Sequence, residues 1–126
     1  MAFKFEKLVV WQKALELTKD IYDMTKEFPS DERYVLTDQL RRAADSVALN
    51  IAEGSTGQSN AEFSRFVGYA ICSAVEVVAC LHIRLKRNII DQSNFNQTYN
   101  QTEEIVKMLQ ALRKRLNNKN YLSMDY

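Results

Sequence analysis

Turn-forming residues are scarce in this chain, which has only three glycines and one proline among its 126 residues. A fold of many short strands needs glycine and proline in its turns, whereas a few long helices need very little turn material. A chain of this length also suffices for one domain with a sizeable core. The sequence therefore predicts an all-α fold with a single domain over residues 1–126.

Four segments carry apolar residues at the three- and four-residue spacing of an amphipathic helix. We expect helices over about residues 6–27, 36–53, 60–87 and 92–117, and a loose tail over residues 118–126. Pro29 ends the first helix, and Ser59 with Glu62 forms a capping box at the start of the third. Four helices with short links predict an up-down-up-down antiparallel four-helix bundle.

The second predicted helix carries a polar stripe beside its apolar side. The stripe consists of Arg42, Ser46, Asn50 and Glu53. Gly54 follows it and is expected at the C′ position, where a left-handed residue ends a helix. Periodicity alone favours a solvated stripe with weak pairs such as Arg41 with Asp45. The alternative is a buried or interfacial polar network.

The third predicted helix is apolar on two opposite sides. The side away from the core has near-heptad spacing and carries Cys72, Ala79 and Ile83, with less charge than a water-facing surface usually has. Its more polar members are Arg65, Tyr69 and Glu76. We therefore expect this helix to contact protein on both sides, with Arg65 and Glu76 at the edge of a contact between subunits of a homo-oligomer.

Cations end the third and fourth helices. They are Lys86, Arg87, Arg113, Lys114 and Arg115. One interpretation is that those of the fourth helix complement its negative carboxyl end. The other is that symmetry in an oligomer repeats them as a ring that attracts the phosphates of RNA or another nucleic acid. A net charge of only +1 argues against a strongly basic nucleic-acid binder but permits a local patch.

The sequence has no motif typical of catalysis, of a cofactor site or of a metal centre. His82 is the only histidine and has no ligand partners at metal spacing. Cys72 and Cys80 lie about two helical turns apart, too far to form a disulfide within one helix. Neither a signal peptide nor a charge-free stretch of membrane-spanning length is apparent. We expect a cytoplasmic protein that is not an enzyme, binds no cofactor and contacts no membrane.

Three blocks of the sequence resemble the four-helix-bundle protein family, whose members are also called 23S rRNA intervening-sequence proteins. The blocks are FEKLVVWQKALEL at Phe5–Leu17, FPSDERYVLTDQLRRAADSVALNIAEGS at Phe28–Ser55 and SNAEFSRFVGYAICSAVE at Ser59–Glu76. They occur in the order typical of the family. After the second block a typical member has an arginine where this chain reads STGQ, which removes one positive charge from a plausible contact surface.

The resemblance implies a bundle that assembles as a ring, with a pentamer as the implied form, and a connection to RNA. Two hypotheses follow. One is a non-catalytic homo-oligomer associated with RNA; the other is a purely structural or protein-binding scaffold without nucleic-acid contact. The residues expected to lock helices and subunits in the second case are Arg41, Arg42, Asn50, Glu53, Arg65, Tyr69 and Glu76.

Overall fold

The computed structural model describes residues 3–29, 37–57 and 59–118, and within these ranges all regular secondary structure is helical. A short 3-10 helix spans Lys4–Lys7, and four α-helices follow: α1 over Val9–Thr25, α2 over Asp38–Ser55, α3 over Asn60–Lys86 and α4 over Gln92–Asn117. The predicted all-α class and the four helices are confirmed. The expected start of the second helix at Leu36 and the end of the tail lie outside the described residues.

The first helix begins later than the periodicity indicates, because Leu8 interrupts it. Leu8 is extended, with φ −77° and ψ 122°, and separates the 3-10 helix from α1. The Glu6 carboxylate accepts a hydrogen bond from the Phe3 N–H at 2.7 Å, and the Gln12 side chain donates to the Glu6 carbonyl at 2.9 Å. These bonds hold a turn that buries the Leu8 side chain in the core.

Aliphatic side chains from all four α-helices fill one hydrophobic core. Its fully buried members include Ala14, Leu17, Ile21, Leu40, Val47, Ile51, Val67, Ala70, Ala74, Val77, Leu81 and Leu109. Burying one large aliphatic side chain contributes about 1.5–3 kcal/mol. In space α1 contacts α2 and α4, and α3 also contacts α2 and α4. Each helix therefore has two neighbours and an outward side.

Gly54 does not end α2 in the way expected from the sequence. None of the described glycines has a positive φ, and Gly54 lies inside the helix, which continues to Ser55. A Cβ added at Gly54 would be 2.5 Å from the Phe66 Cβ and 3.0 Å from the Phe63 ring. The expectation of a C′ glycine was wrong, because here glycine permits close approach of α2 to α3.

Helix boundaries around α3 and α4 have well-defined caps. The Ser59 hydroxyl accepts a hydrogen bond from the Glu62 N–H at 3.1 Å, and the Asp91 carboxylate accepts one from the Asn94 N–H at 2.7 Å. Asn88 follows the C-cap of α3 with φ 60°. Asparagine tolerates this left-handed conformation better than most residues other than glycine. The α3–α4 link is therefore short and sharply turned.

Among the described helices, α3 alone is long and apolar enough to cross a membrane by length and composition. Its most apolar window has a mean hydropathy of 1.9, yet only 33% of that window is buried within the chain. This is weak evidence for a membrane span, because the core helix of a protein that never enters a membrane can pass the same test. The low burial means that apolar residues of α3 also lie outside the core.

Candidate interaction surfaces of α2, α3 and α4

The outward sides of α2 and α3 together form a surface that we call the α2–α3 face. It comprises Arg42, Ser46, Leu49, Asn50 and Glu53 of α2, with Arg65, Tyr69, Cys72, Ser73 and Glu76 of α3. Six of the seven residues expected in a polar network lie on it, and Arg41 does not. Ser73, which periodicity did not single out, belongs to it because of its contact with α2.

Hydroxyl and amide groups connect the two helices within this face. The Asn50 side chain donates to the Ser46 carbonyl at 2.9 Å and to the Ser46 hydroxyl at 3.0 Å. The Ser73 hydroxyl donates to the Ser46 hydroxyl at 2.9 Å. All three residues are half-buried. This small network links α2 to α3 and fixes the register between them.

Arg41 points to a different part of the molecule from Arg42. Its Nε donates to the Thr25 hydroxyl at 2.7 Å, and its guanidinium lies 4.1 Å from the centre of the Tyr22 ring. None of the ion pairs among the described residues joins Arg41 to Asp45. Arg41 therefore connects α2 to α1 and does not belong to the α2–α3 face.

The four charged residues of the α2–α3 face do not pair with one another in the single chain. Arg42, Glu53 and Glu76 are exposed and have no ion pair with any described residue. Arg65 pairs instead with Glu62 on its own helix, at 2.7 Å. Exposed charges gain little from such pairs, because water solvates them well.

Large apolar side chains lie exposed on and beside this face. Leu49 is 61% exposed and Tyr69 47%, while Val75 and Ile83 on the outward side of α3 are 57% and 41% exposed. The Tyr69 ring packs edge-on against the half-buried Phe66 ring, with centroids 5.5 Å apart. Several large apolar side chains exposed on neighbouring helices commonly mark a site of protein interaction.

A groove between α1 and α2 continues this apolar surface. It has a volume of about 310 Å³ and is lined by Phe5, Trp11, Leu15, Thr18, Asp45, Ala48, Leu49 and Ala52. The Phe5 and Trp11 rings pack edge-on with centroids 4.8 Å apart. Leu49 borders both the groove and the α2–α3 face, so the exposed apolar surface extends across α2.

The cations of α4 cluster at one end of the bundle. The Arg113 guanidinium packs against Gly68, whose added Cβ would be 2.9 Å from the Arg113 Cζ, and the Arg113 Nε lies 3.4 Å from the Ser64 hydroxyl. A hollow of about 470 Å³ is lined by Gln110, Arg113, Lys114, Asn117 and Asn118. A second hollow, of about 240 Å³, has Lys7 and Arg115 in its lining. We call Lys7, Arg113, Lys114 and Arg115 the basic end.

The structure separates the five cations singled out from the sequence. Arg113 contacts the first turns of α3, whereas Lys86 and Arg87 lie at the opposite end of that helix. The helical rise from Ser64 to Arg87 places these two groups roughly 35 Å apart. They therefore form two clusters in a single chain. The sequence analysis did not single out Lys7, because Lys7 and Arg115 are far apart in the chain and only the fold brings them to the same hollow.

His82 contacts two aromatic rings of α4, and the two cysteines differ in burial. The His82 ring packs edge-on against the rings of Phe95 and Tyr99, with centroids 4.9 and 6.3 Å away. Cys72 is exposed and Cys80 is buried, and burial raises the pKa of the Cys80 thiol. Among the described residues, no three or more His, Cys, Asp or Glu side chains are grouped so that they could hold a metal ion.

Comparison with known proteins agrees with this architecture. A crystal structure of a protein with unknown function from the S23 ribosomal protein family, from Bacteroides thetaiotaomicron, superimposes with a TM-score of 0.79 at 27% sequence identity. The match covers 84% of this chain and 99% of that protein. No curated protein matches the chain. The model of the 23S rRNA-intervening sequence protein family matches residues 6–111, and this chain therefore belongs to that family.

Proposed function

We propose that this protein is a non-catalytic, self-assembling helical bundle of the cytoplasm, and that its subunits form a ring, with a pentamer as the expected form. The exposed apolar outward side of α3 carries this proposal. Tyr69, Val75 and Ile83 lie there, and Leu49 adjoins them on α2. In a single chain these side chains face water, and a neighbouring subunit would remove them from it.

Within each subunit we propose an up-down-up-down order of antiparallel helices. Contacts between α2 and α3 support it, because Ser46 bonds to Ser73 while the later Gly54 packs on the earlier Phe66. Contacts between α1 and α4 support the same antiparallel order. Lys13 pairs with Glu104 at 2.9 Å, and the later Asp20 accepts a hydrogen bond from the earlier Gln101 at 3.1 Å.

Self-association accounts for the exposed apolar residues better than membrane insertion does. The opposite side of α3 supplies core residues, among them Ala70, Val77 and Leu81, which are completely buried. Moving α3 into a lipid bilayer would withdraw these side chains from the core. Association costs about 4–15 kcal/mol in lost freedom of motion, so several large apolar side chains must contribute. Leu49, Tyr69, Val75 and Ile83 make such a contribution available.

Sedimentation-velocity ultracentrifugation tests the assembly directly. We expect the natural chain to sediment as one oligomer, and the variants Cys72→Glu and Ile83→Asp to sediment mainly as folded single chains. Both substitutions place a carboxylate on the outward side of α3. The variant Ala111→Glu, at an exposed position of α4, is the matched control and should assemble normally. Unchanged assembly of both α3 variants would contradict the proposal.

RNA binding at the basic end is a second candidate function. Lys7 and Arg115 share one hollow, and Arg113 and Lys114 line another close by on α4. The Arg113 guanidinium lies against Gly68, and a planar guanidinium matches the geometry of a phosphate. The family name also connects such chains with the rRNA intervening sequence. Symmetry in a ring would repeat these cations.

An RNA titration at two salt concentrations separates this function from that of a pure scaffold. Phosphate contacts predict affinity that falls steeply with salt, with a slope of about 0.7 per contact on logarithmic axes for single strands. Arg113→Ala and Lys114→Ala should each lower the affinity and reduce the slope. Lys19→Ala, on the exposed side of α1, is the control. Absence of binding at low salt would leave only the scaffold.

A further inference from the structure

The charges of the α2–α3 face have a matched spacing along the two helices. Arg42 and Glu53 are eleven residues apart on α2, and Arg65 and Glu76 are also eleven apart on α3. At the rise of an α-helix each pair spans roughly 16 Å. On both helices the arginine precedes the glutamate. Because α2 and α3 run in opposite directions in the proposed bundle, their charges are reversed in space.

The register between the two helices aligns these charges. The Ser46–Ser73 hydrogen bond and the packing of Gly54 on Phe66 place Arg42 level with Glu76, and Glu53 level with Arg65. Four charges of alternating sign therefore occupy the corners of the face. Leu49, Tyr69 and Cys72 lie exposed between them. An apolar centre with a charged rim is the usual composition of a protein interface.

We propose that a second copy of this chain occupies the α2–α3 face, with α2 of one copy antiparallel to α3 of the next. Arg42 then pairs with Glu76 of the second copy, and Glu53 pairs with Arg65 of the second copy. The inference rests on the proposed self-assembly and deepens it, since it names the charges that set the register between subunits.

The alternating pattern identifies the occupant, because it is complementary to itself. When α3 of a second copy is laid antiparallel on α2, its glutamate meets an arginine and its arginine meets a glutamate at the same spacing. The α2 row of one copy is therefore complementary to the α3 row of the next, so each copy can contact one neighbour through α2 and another through α3, as a ring requires. Ser46, Asn50 and Ser73 already bond to one another within the chain, and a second copy placed over them leaves those bonds intact.

The charges are available for such pairing. Arg42, Glu53 and Glu76 have no ion pair with a described residue, so docking breaks no bridge that joins them to the described part of the chain. Arg65 bonds to Glu62 through one terminal nitrogen, and a guanidinium with five N–H donors can donate to a second carboxylate. Loss of water at an interface strengthens charge pairs, and like charges placed there oppose association.

Charge reversal in separate chains tests the pairing. Arg42→Glu and Glu76→Arg are prepared singly and then mixed, and assembly is followed by native mass spectrometry and sedimentation. Thermal unfolding checks that each variant folds. Lys107→Glu is the control, because Lys107 is an exposed cation on α4, away from the face. Each single variant should weaken assembly at least about tenfold.

Mixing the two variants should restore complexes that contain both chains, since the carboxylate introduced at position 42 then meets the guanidinium introduced at position 76. Single variants that assemble as the natural chain does would overturn the pairing. Single variants that fail to assemble and are not rescued by mixing would also overturn it, because the charges would then act within one chain. A natural chain that sediments only as single molecules would instead remove the proposed self-assembly itself.

Discussion

Replacing Gly54 by alanine perturbs the closest approach of α2 to α3. The added Cβ would lie 2.5 Å from the Phe66 Cβ, whereas unbonded carbon atoms prefer about 3.5–4.0 Å. The Phe66 Cβ is attached directly to the backbone, so no side-chain rotation can move it away. Relief therefore requires the two helices to separate by about 1 Å, which loosens the contacts around them.

Two opposing terms set the size of the effect. Alanine favours a helix interior over glycine by about 1 kcal/mol. Overpacking of a well-filled core costs typically 1–3 kcal/mol, and a clash with a backbone-attached atom belongs at the upper end of that range. We therefore expect Gly54→Ala to lower the free energy of unfolding by about 2 kcal/mol. For a domain of this size that lowers Tm by roughly 8 °C.

Gly68→Ala is the matched control, since Gly68 is also a buried glycine in a helix. Its added Cβ would meet the far end of the Arg113 side chain, at 2.9 Å, which can move aside. We expect this variant to be within about 0.5 kcal/mol of the natural chain or slightly more stable. Urea and thermal unfolding at several protein concentrations measure both, because assembly itself shifts stability. Equal effects of the two variants would refute the reasoning.

Three further predictions concern helix ends and thiols. Asn88→Gly should raise stability by about 0.5 kcal/mol in urea unfolding, because glycine adopts a φ of 60° without strain, and a loss of stability would contradict this. Ser59→Ala should cost about 1 kcal/mol in the same assay, while Ser59→Asp keeps the cap and should cost little. Iodoacetamide should label the exposed Cys72 before the buried Cys80 in dilute protein, and concentrating the protein should protect Cys72. Mass spectrometry measures the labelling rates of both thiols. Equal labelling of the two thiols would be inconsistent with the structure.

Periodicity predicted the all-α class and the four α-helices of the described residues, because both follow from local spacing and from the scarcity of turn residues. It could not place Gly54 correctly. A glycine at the end of a periodic segment fits a left-handed cap or a close helix contact equally well from sequence. Only the packing of Phe66 against it decides between them.

The candidate surfaces were predicted less completely, because side chains meet across helices in ways that spacing along one helix does not reveal. Arg41 and Arg42 are neighbours in sequence, but Arg41 contacts α1 whereas Arg42 lies on the α2–α3 face. Ser73 joins the polar network only through its bond to Ser46. The cations at the two ends of α3 were grouped by their charge, whereas the length of the helix separates them.

In the ring that we propose, that separation would create two charged faces. If the helices stand parallel to the symmetry axis, Lys86 and Arg87 of every subunit form a crown on one flat face of the disc, and Arg113 with Lys114 form another on the opposite face. Such a disc has a positive crown above and below while each subunit remains almost neutral. A polyanion would then lie on one face and leave the other open to a second strand or to an acidic protein.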